Sequence, residues 1–232
     1  GWWLYRRKRY FYLSTVALAI GYNYIFNFFA FNLMGVHPSA DAVKVMSYNV
    51  RYFDAPFHSD PNKLTQEHQN ILDIIRAQGV DIFCGQEFSG RTEAYNKIAI
   101  KELSHNMGMK HYHMAGGSSL AIFSKYPIIK KGAINFERTY NGAIFADIKI
   151  NEKMLRVYCF HLQSIRLGND ETEVFNQENL TTLNENDTQE KYKRINGKLK
   201  DAFLLREEQV EFISEHISQS PYPVIVCGDM ND

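Results

Sequence analysis

Four apolar runs in this chain end the same way, with a side chain able to hold a cation or move a proton at the carboxyl end of a strand-like segment. Val43-Lys44-Val45-Met46-Ser47-Tyr48 leads to Asn49, and Val80-Asp81-Ile82-Phe83-Cys84-Gly85-Gln86 leads to Glu87. Met154–Phe160 leads to His161, and Pro223-Val224-Ile225-Val226-Cys227-Gly228 leads to Asp229, with Asn231 two residues on. Short apolar runs bounded by turn residues read as strands. Polar groups at buried strand tips are held rigidly, and ligand groups of α/β sheets gather outside the carboxyl ends of strands. A fold is therefore required in which four distant segments point the same end at one place.

The intervening residues supply the other elements. Leu64, His68, Ile71 and Ile75 recur at helical spacing, which predicts a helix over Leu64–Gln78 ended by Gly79. A second helix is expected over Glu93–Met107, then strands at His111–Ala115 and Leu120–Ser124. Ala143–Ile150 alternates cleanly and turns at Asn151-Glu152-Lys153 into a hairpin partner, Met154–Leu162. This alternation predicts a wet face carrying Asp147 and Lys149. Residues 165–196 read as a long polar excursion. From Lys198 a helical stripe follows, made of Leu199, Phe203, Arg206, Val210, Ile213 and Ile217, in which Arg206 demands a partner. Strands and helices intermix without strict βαβ alternation, so the expectation is a mixed-sheet α/β (α+β) domain.

The amino-terminal forty residues differ from the rest. Residues 1–10 form a basic, aromatic flank, and residues 11–36 are uncharged for 26 positions, longer than the roughly 20 that cross a bilayer. A transmembrane helix is expected there, with Arg6–Arg9 on the cytoplasmic side and the following domain outside the cytoplasm, periplasmic or extracellular. A cleaved signal peptide ending near Ala40-Asp41-Ala42 and a buried helix are the alternatives. Residues 37–42 read as a linker and 43–232 as the globular domain. The four basic residues of the flank leave 22 basic against 26 acidic residues beyond it, which is not the footprint of a protein gripping long polyanions.

Two carboxylates (Glu87, Asp229), two carboxamides (Asn49, Asn231) and an imidazole (His161) suit a hard, oxygen-liking cation such as Mg²⁺ better than zinc. The chemistry such a set supports is displacement at phosphorus, with the cation neutralising phosphate oxygens and a carboxylate activating water. Singly, each has a plain structural use: Asn49 as a strand cap, Glu87 as a solvated loop acid, His161 as a core histidine, Asp229-x-Asn231 as an Asx turn. His111 and His113 alternate on one strand face but lack a third ligand, and read as a polar face. Cys84, Cys159 and Cys227 are odd in number, lack CxxC spacing and sit in apolar runs, so they read as buried small side chains rather than a disulfide framework.

Taken in order, Ser47-Tyr48-Asn49, Asp81–Glu87, Ala121–Ile128, Phe160-His161-Leu162, Arg206-x-x-Gln209 and Gly228-Asp229-Met230-Asn231 resemble the endonuclease/exonuclease/phosphatase superfamily, which includes DNase I-like nucleases, inositol phosphatases and sphingomyelinases. The resemblance covers about Val43–Asp232. It implies two mixed β-sheets packed as a sandwich flanked by helices, and metal-dependent phosphoester hydrolysis. By resemblance, Glu87 is the principal ligand of Mg²⁺ (or Mn²⁺ or Ca²⁺), with Asn49 beside the metal. His161 contacts the scissile phosphate, Asp229 positions or activates water, Asn231 is a neighbouring amide donor, and Arg206 with Gln209 braces the site. The substrate implied is a phosphoester: a lipid head group, a small phosphodiester or nucleic acid, with the membrane as a further partner. No protein partner is inferable. The family's last motif, an Asp-His pair on a later strand, does not occur before Asp232, which implies a sandwich incomplete at its carboxyl end and little hydrolysis by these 232 residues. Phe88-Ser89-Gly90 stands where abasic-site endonucleases carry Thr-Lys, which disfavours DNA repair. A non-catalytic, membrane-anchored binding module of the same fold is the competing reading.

Overall fold

The computed structural model describes residues 8–28, 39, 41–54, 65–88, 93–115, 119–137, 139, 141–165, 167–168 and 185–231. The chain divides into two units, Gly1–Ala42 and Val43–Asp232. In the first, α1 (Lys8–Phe28) exposes residues 12–20 on every side, including Tyr12, Leu13, Val16, Leu18 and Ile20. Among the described residues no helix is long and apolar enough to cross a membrane. Tyr12, Ser14 and Thr15 dilute the apolar surface of α1, and residues 29–36 of the expected span lie outside the described residues.

The second unit runs β1 (Val45–Asn49), α2 (Gln66–Gln78), β2 (Ile82–Gln86), α3 (Glu93–Lys101) with a π turn over Glu102–Asn106, β3 (His111–Ala115), β4 (Leu120–Ser124) and β5 (Ile128–Asn135). It continues with β6 (Gly142–Ile150), β7 (Lys153–His161), α4 (Glu185–Ser218) and β8 (Val224–Asp229). One sheet has the order β1-β2-β4-β3 and the other β5-β6-β7-β8. Each is mixed, with one parallel pair: β1 with β2, and β7 with β8. Those two parallel pairs are the strands that end in Asn49, Glu87, His161 and Asp229.

Alternation sends each strand's side chains to two layers. Ile82, Cys84, Ile122, Ile144, Ala146, Val157 and Cys159 fill the space between the sheets. Phe83, Phe123, Phe88 and Phe53 face outward under α2 and α3, each contributing about 1.5–3 kcal/mol by burial. Phe145, Tyr158 and Phe160 face α4, against Ile213. Helix α2 starts where Thr65 accepts the His68 N–H and stops at Gly79, whose φ of 58° few residues other than glycine tolerate.

Three expectations are corrected. The face of β6 expected to be wet is covered by α4 at Asp147, which is 2% exposed and bonded to Arg156 on β7, its register partner, while Lys149 near the strand end is exposed as expected. Helix α4 begins at Glu185, inside the expected polar excursion, and its buried stripe is Ile195, Ala202, Arg206, Gln209 and Ile213, with Phe203 and Val210 outside. Strand β5 was not anticipated, because Lys130-Lys131-Gly132 interrupts its apolar pattern; its lysines face solvent.

Candidate active site

Asn49 ends β1 and its carboxamide is the hub of the strand-tip cluster. Its Oδ1 accepts the Arg51 backbone N–H at 2.9 Å, which fixes the amide orientation, because a backbone N–H can only donate. Nδ2 therefore faces the two carboxylates, donating to Asp229 Oδ2 at 2.7 Å and Glu87 Oε1 at 3.3 Å. His161 Nε2 stands 3.8 Å from Asp229 Oδ2 and 3.9 Å from Glu87 Oε1. Four side chains from two sheets thus meet in one place.

The backbone around them is held in a costly shape. Arg51, Tyr52 and Phe53 have φ of 49°, 54° and 58°, and Glu87 has φ of 50°. Left-handed backbone costs such residues about 1–2 kcal/mol each. Offsetting bonds tie the segments together: Val50 N–H to the Gln86 carbonyl at 3.0 Å and Tyr52 N–H to the Glu87 carbonyl at 2.9 Å. Phe53 is fully buried, stacked on His68 with ring centroids 4.3 Å apart and edge-on to Phe88 at 5.2 Å. Both His68 ring nitrogens are buried without a hydrogen-bond partner among the described residues, and burial pushes its pKa down to about 4. A neutral His68 therefore acts as a flat aromatic support beneath the Arg51–Phe53 turn.

On the other sheet, β7 and β8 are locked at their ends. Leu162 N–H donates to the Asp229 carbonyl at 2.9 Å, and Asn231 N–H to Asp229 Oδ1 at 2.9 Å. Asn231 Nδ2 donates to the Leu162 carbonyl at 2.7 Å, so this amide clamps the strand end and does not face the carboxylates. Gly228 lies so close to Phe160 that a Cβ would stand 2.6 Å from the Phe160 carbonyl oxygen. Arg206 and Gln209 act on separate segments. Arg206 donates to the Met230 and Asn231 carbonyls and lies over the Phe203 ring, while Gln209 Oε1 accepts the Gln163 N–H at 2.9 Å. Each fixes the segment after one site strand.

Among the described residues no group of three or more His, Cys, Asp or Glu side chains is already arranged to hold a metal ion. The Asn49 amide nitrogen, which cannot ligate a cation, occupies the space between the carboxylates. The donor set nonetheless fits a hard divalent cation: two carboxylates sit together, and among the described residues no guanidinium or ammonium is bonded to them. Glu87 and Asp229 are the residues able to hold it, whereas Asn49 could ligate only through Oδ1, which the Arg51 N–H already engages. His113 is not a ligand in this arrangement, because its Nε2 meets the Gly132 carbonyl at 3.0 Å and joins the two sheets. A cavity of about 570 Å³ lies elsewhere, between the end of β5 and α4. Glu137, Glu208, Glu211 and Glu215 line it and would repel a phosphate.

The sequence pattern of the Endonuclease/Exonuclease/phosphatase family matches residues 46–232. Solved structures with a similar fold include humanized D. rerio TDP2 carrying 14 mutations (18% identity, TM-score 0.52, covering 83% of this chain and 68% of that one). Sphingomyelinase C from Streptomyces griseocarneus is another (16% identity, TM-score 0.57, 82% and 64%). Beta toxin from Staphylococcus aureus is a third (17% identity, TM-score 0.51, 82% and 66%). The chain spans less than two thirds of the length of the last two. At these identities the likeness is one of fold, two mixed sheets with flanking helices. A comparison with curated proteins finds no match.

Proposed function

The chain belongs to the endonuclease/exonuclease/phosphatase family, and from that premise we propose that the cluster at the tips of β1, β2, β7 and β8 hydrolyses a phosphoester with the help of a divalent cation. The observation that carries this reading is the convergence of Glu87 and Asp229 on one Asn49 amide and one His161 imidazole. A bound Mg²⁺, or Mn²⁺ or Ca²⁺ in its place, supplies positive charge to the phosphate oxygens. Glu87 is the carboxylate that holds it. Asp229 Oδ2 takes the proton of the attacking water, and the Asn49 N–H keeps that oxygen aimed into the site. His161 Nε2 donates to a phosphate oxygen as negative charge builds there. Arg206, Gln209 and Asn231 keep the β7 and β8 tips in register.

The substrate class stays within phosphodiesters of lipid head groups, small phosphodiesters and nucleic acid; the acidic balance of the domain favours the first two. Tethering of the domain to a membrane through the amino-terminal segment, on the extracytoplasmic side, is part of this proposal. It is supported by the Arg6–Arg9 cluster and by the apolar side chains that α1 leaves exposed. The competing reading, a binding module without turnover, predicts that substrate binds but is not consumed. The deciding experiment measures hydrolysis of bis-p-nitrophenyl phosphate, phospholipid vesicles and plasmid DNA by the purified protein with Mg²⁺, Mn²⁺ and Ca²⁺. Turnover that vanishes with chelator and in Asp229→Asn supports the enzyme; unchanged turnover in Asp229→Asn sinks the assignment.

A further inference from the structure

Strands β3 and β5 are outer strands of their two sheets, and positive charge gathers where both begin. Lys110–Tyr112, at the start of β3, meet Ile129–Lys131, early in β5, around a hollow of about 430 Å³. Lys110 and Tyr112 also line a second hollow, of about 550 Å³, with Lys97 and Lys101 on α3 and His105 in the π turn. The two hollows are therefore one continuous surface. Among the described residues no aspartate or glutamate lines either of them. Lys97 is paired with Glu93 at 2.9 Å, and Lys131 Nζ donates to the Tyr112 carbonyl at 3.5 Å. Lys101, Lys110 and Lys130 are exposed and in no ion pair among the described residues.

Such a cluster stands out in a domain whose acidic residues outnumber its basic ones. Repulsion among the ammonium groups is a cost that an anionic partner relieves. The kind of partner follows from what lies between the lysines. Ile129 is 62% exposed and Tyr112 41% exposed, the tyrosine ring being held by stacking on Phe123 with centroids 5.2 Å apart. An aliphatic and an aromatic side chain among lysines suit the head-group layer of a bilayer. The apolar groups enter it, while flexible lysine stems carry ammonium groups to lipid phosphates. A nucleic acid would answer the charge but give Ile129 nothing to bury against.

The position of the surface agrees. Val45, Ile82, Ser124 and His111 are successive register partners across the first sheet. Strand β1, by which the chain enters this unit, thus starts at the same end as the basic surface. On the second sheet Ile128 pairs with Ile148, and Ile148 with Leu155. Leu155 is about 20 Å from His161 along β7 at the usual strand rise, so the strand-tip cluster lies at the other end.

We propose that this surface docks on the anionic face of a phospholipid membrane, with Tyr112 and Ile129 in the head-group layer and Lys110, Lys130 and Lys131 on lipid phosphates. The contact belongs to the domain itself and does not need α1 to span a bilayer. The test incubates the full chain with vesicles of phosphatidylcholine alone or of phosphatidylcholine with phosphatidylserine, acetylates lysines briefly and maps the modified peptides. The expected result is reduced acetylation of Lys110, Lys130 and Lys131 on the phosphatidylserine vesicles only, with exposed Lys200 on α4 equally reactive throughout. Protection should fade as salt is raised. Lys130→Gln or Lys131→Gln should each weaken it at the remaining lysines by about fivefold. Glu87→Gln, at the opposite end of the strands, should leave it unchanged. Lysines that stay reactive on both vesicles overturn the docking surface; if the protein still pellets with them, the amino-terminal tether stands without it. Protection on phosphatidylserine vesicles by a protein that ignores pure phosphatidylcholine supports the surface and removes the tether. Equal protection by both vesicles, or protection by duplex DNA alone, overturns the proposal.

Discussion

Asp147 and Arg156 meet across β6 and β7 as a finished ion pair, whereas Glu87 and Asp229 meet at strand tips as two carboxylates with no Lys or Arg among the described residues bonded to them. The first pair is nearly sealed, with side chains 3% and 6% exposed and guanidinium contacts of 2.6 and 2.8 Å. The Arg156 guanidinium also lies 4.6 Å over the Phe145 ring, and its pKa is raised by the bond to Asp147. The second pair is 22% and 28% exposed, and the partners it meets among the described residues are the Asn49 amide, the His161 imidazole and the Asn231 backbone N–H. A buried charge must be paired where it sits. Under the function proposed, the partly open carboxylates are where a cation from outside would bind. One sheet thus holds a paired carboxylate at mid-strand and a more open one at its tip, and what separates them is what faces each.

Replacement separates the two pairs most sharply. Asp229→Asn is expected to lower kcat/KM for a phosphodiester by roughly 10²–10⁴-fold, the usual worth of a general base, with the thermal unfolding midpoint little changed. Arg156→Leu should do the reverse. It leaves Asp147 buried and unpaired, so the fold loses about 3–5 kcal/mol in denaturant titration, while activity per folded molecule persists. Exchanged outcomes would break the comparison.

The support beneath the strand tips adds a difference in acid. His68 is held neutral by burial, with its pKa lowered from 6.5 to about 4. Above pH 6.5 it is neutral whether folded or unfolded and costs nothing. As pH falls from 6.5 toward 4 the unfolded chain takes up a proton that the folded one refuses. Stability therefore declines over that window by up to about 3 kcal/mol. Unfolding measured from pH 7 to 4 should show this slope in the native protein and a flatter one in His68→Phe. A slope that survives the substitution assigns it to another group.

Cation addition gives the next effect. Mg²⁺ at about 100 times its dissociation constant should stabilise the native protein by about 2.7 kcal/mol, seen as a raised unfolding midpoint. Glu87→Gln should abolish the rise and Asp147→Asn should keep it. The smallest effect expected is that of Thr65→Ala, about 1 kcal/mol from the lost helix cap of α2. That loss should leave metal binding untouched, because Thr65 caps the helix end while His68 supports the Arg51–Phe53 turn by its ring.

Much of this architecture was legible in the sequence because burial writes itself into period and composition. The strands ending at Asn49, Glu87, His161 and Asp229 were visible as apolar runs with polar ends, and α2 through its spacing and terminal glycine. What escaped depended on tertiary partners. Asp147 looks solvent-facing by alternation, and only the Arg156 opposite it and α4 above it reverse that. Strand β5 mixes lysines and a glycine into its pattern, and the face of α4 could not be chosen, because apolar residues occur on both of its sides. In the site, residue types were readable but orientation was not. That Asn49 turns its nitrogen to the carboxylates, and Asn231 turns its own away, depends on the backbone N–H of Arg51 and the carbonyl of Leu162. No spacing in the sequence encodes those contacts.

The bond from Asn49 to Asp229 joins residues 180 positions apart, which bears on when in a chain's life the site comes into being. Contacts that distant close late, after the local hairpin of β6 and β7. During synthesis from the amino terminus, the ribosome must release β8 before the four side chains can meet. A nascent chain would then hold no assembled cluster until β8 had emerged. In refolding, return of catalysis should lag the recovery of strand signal.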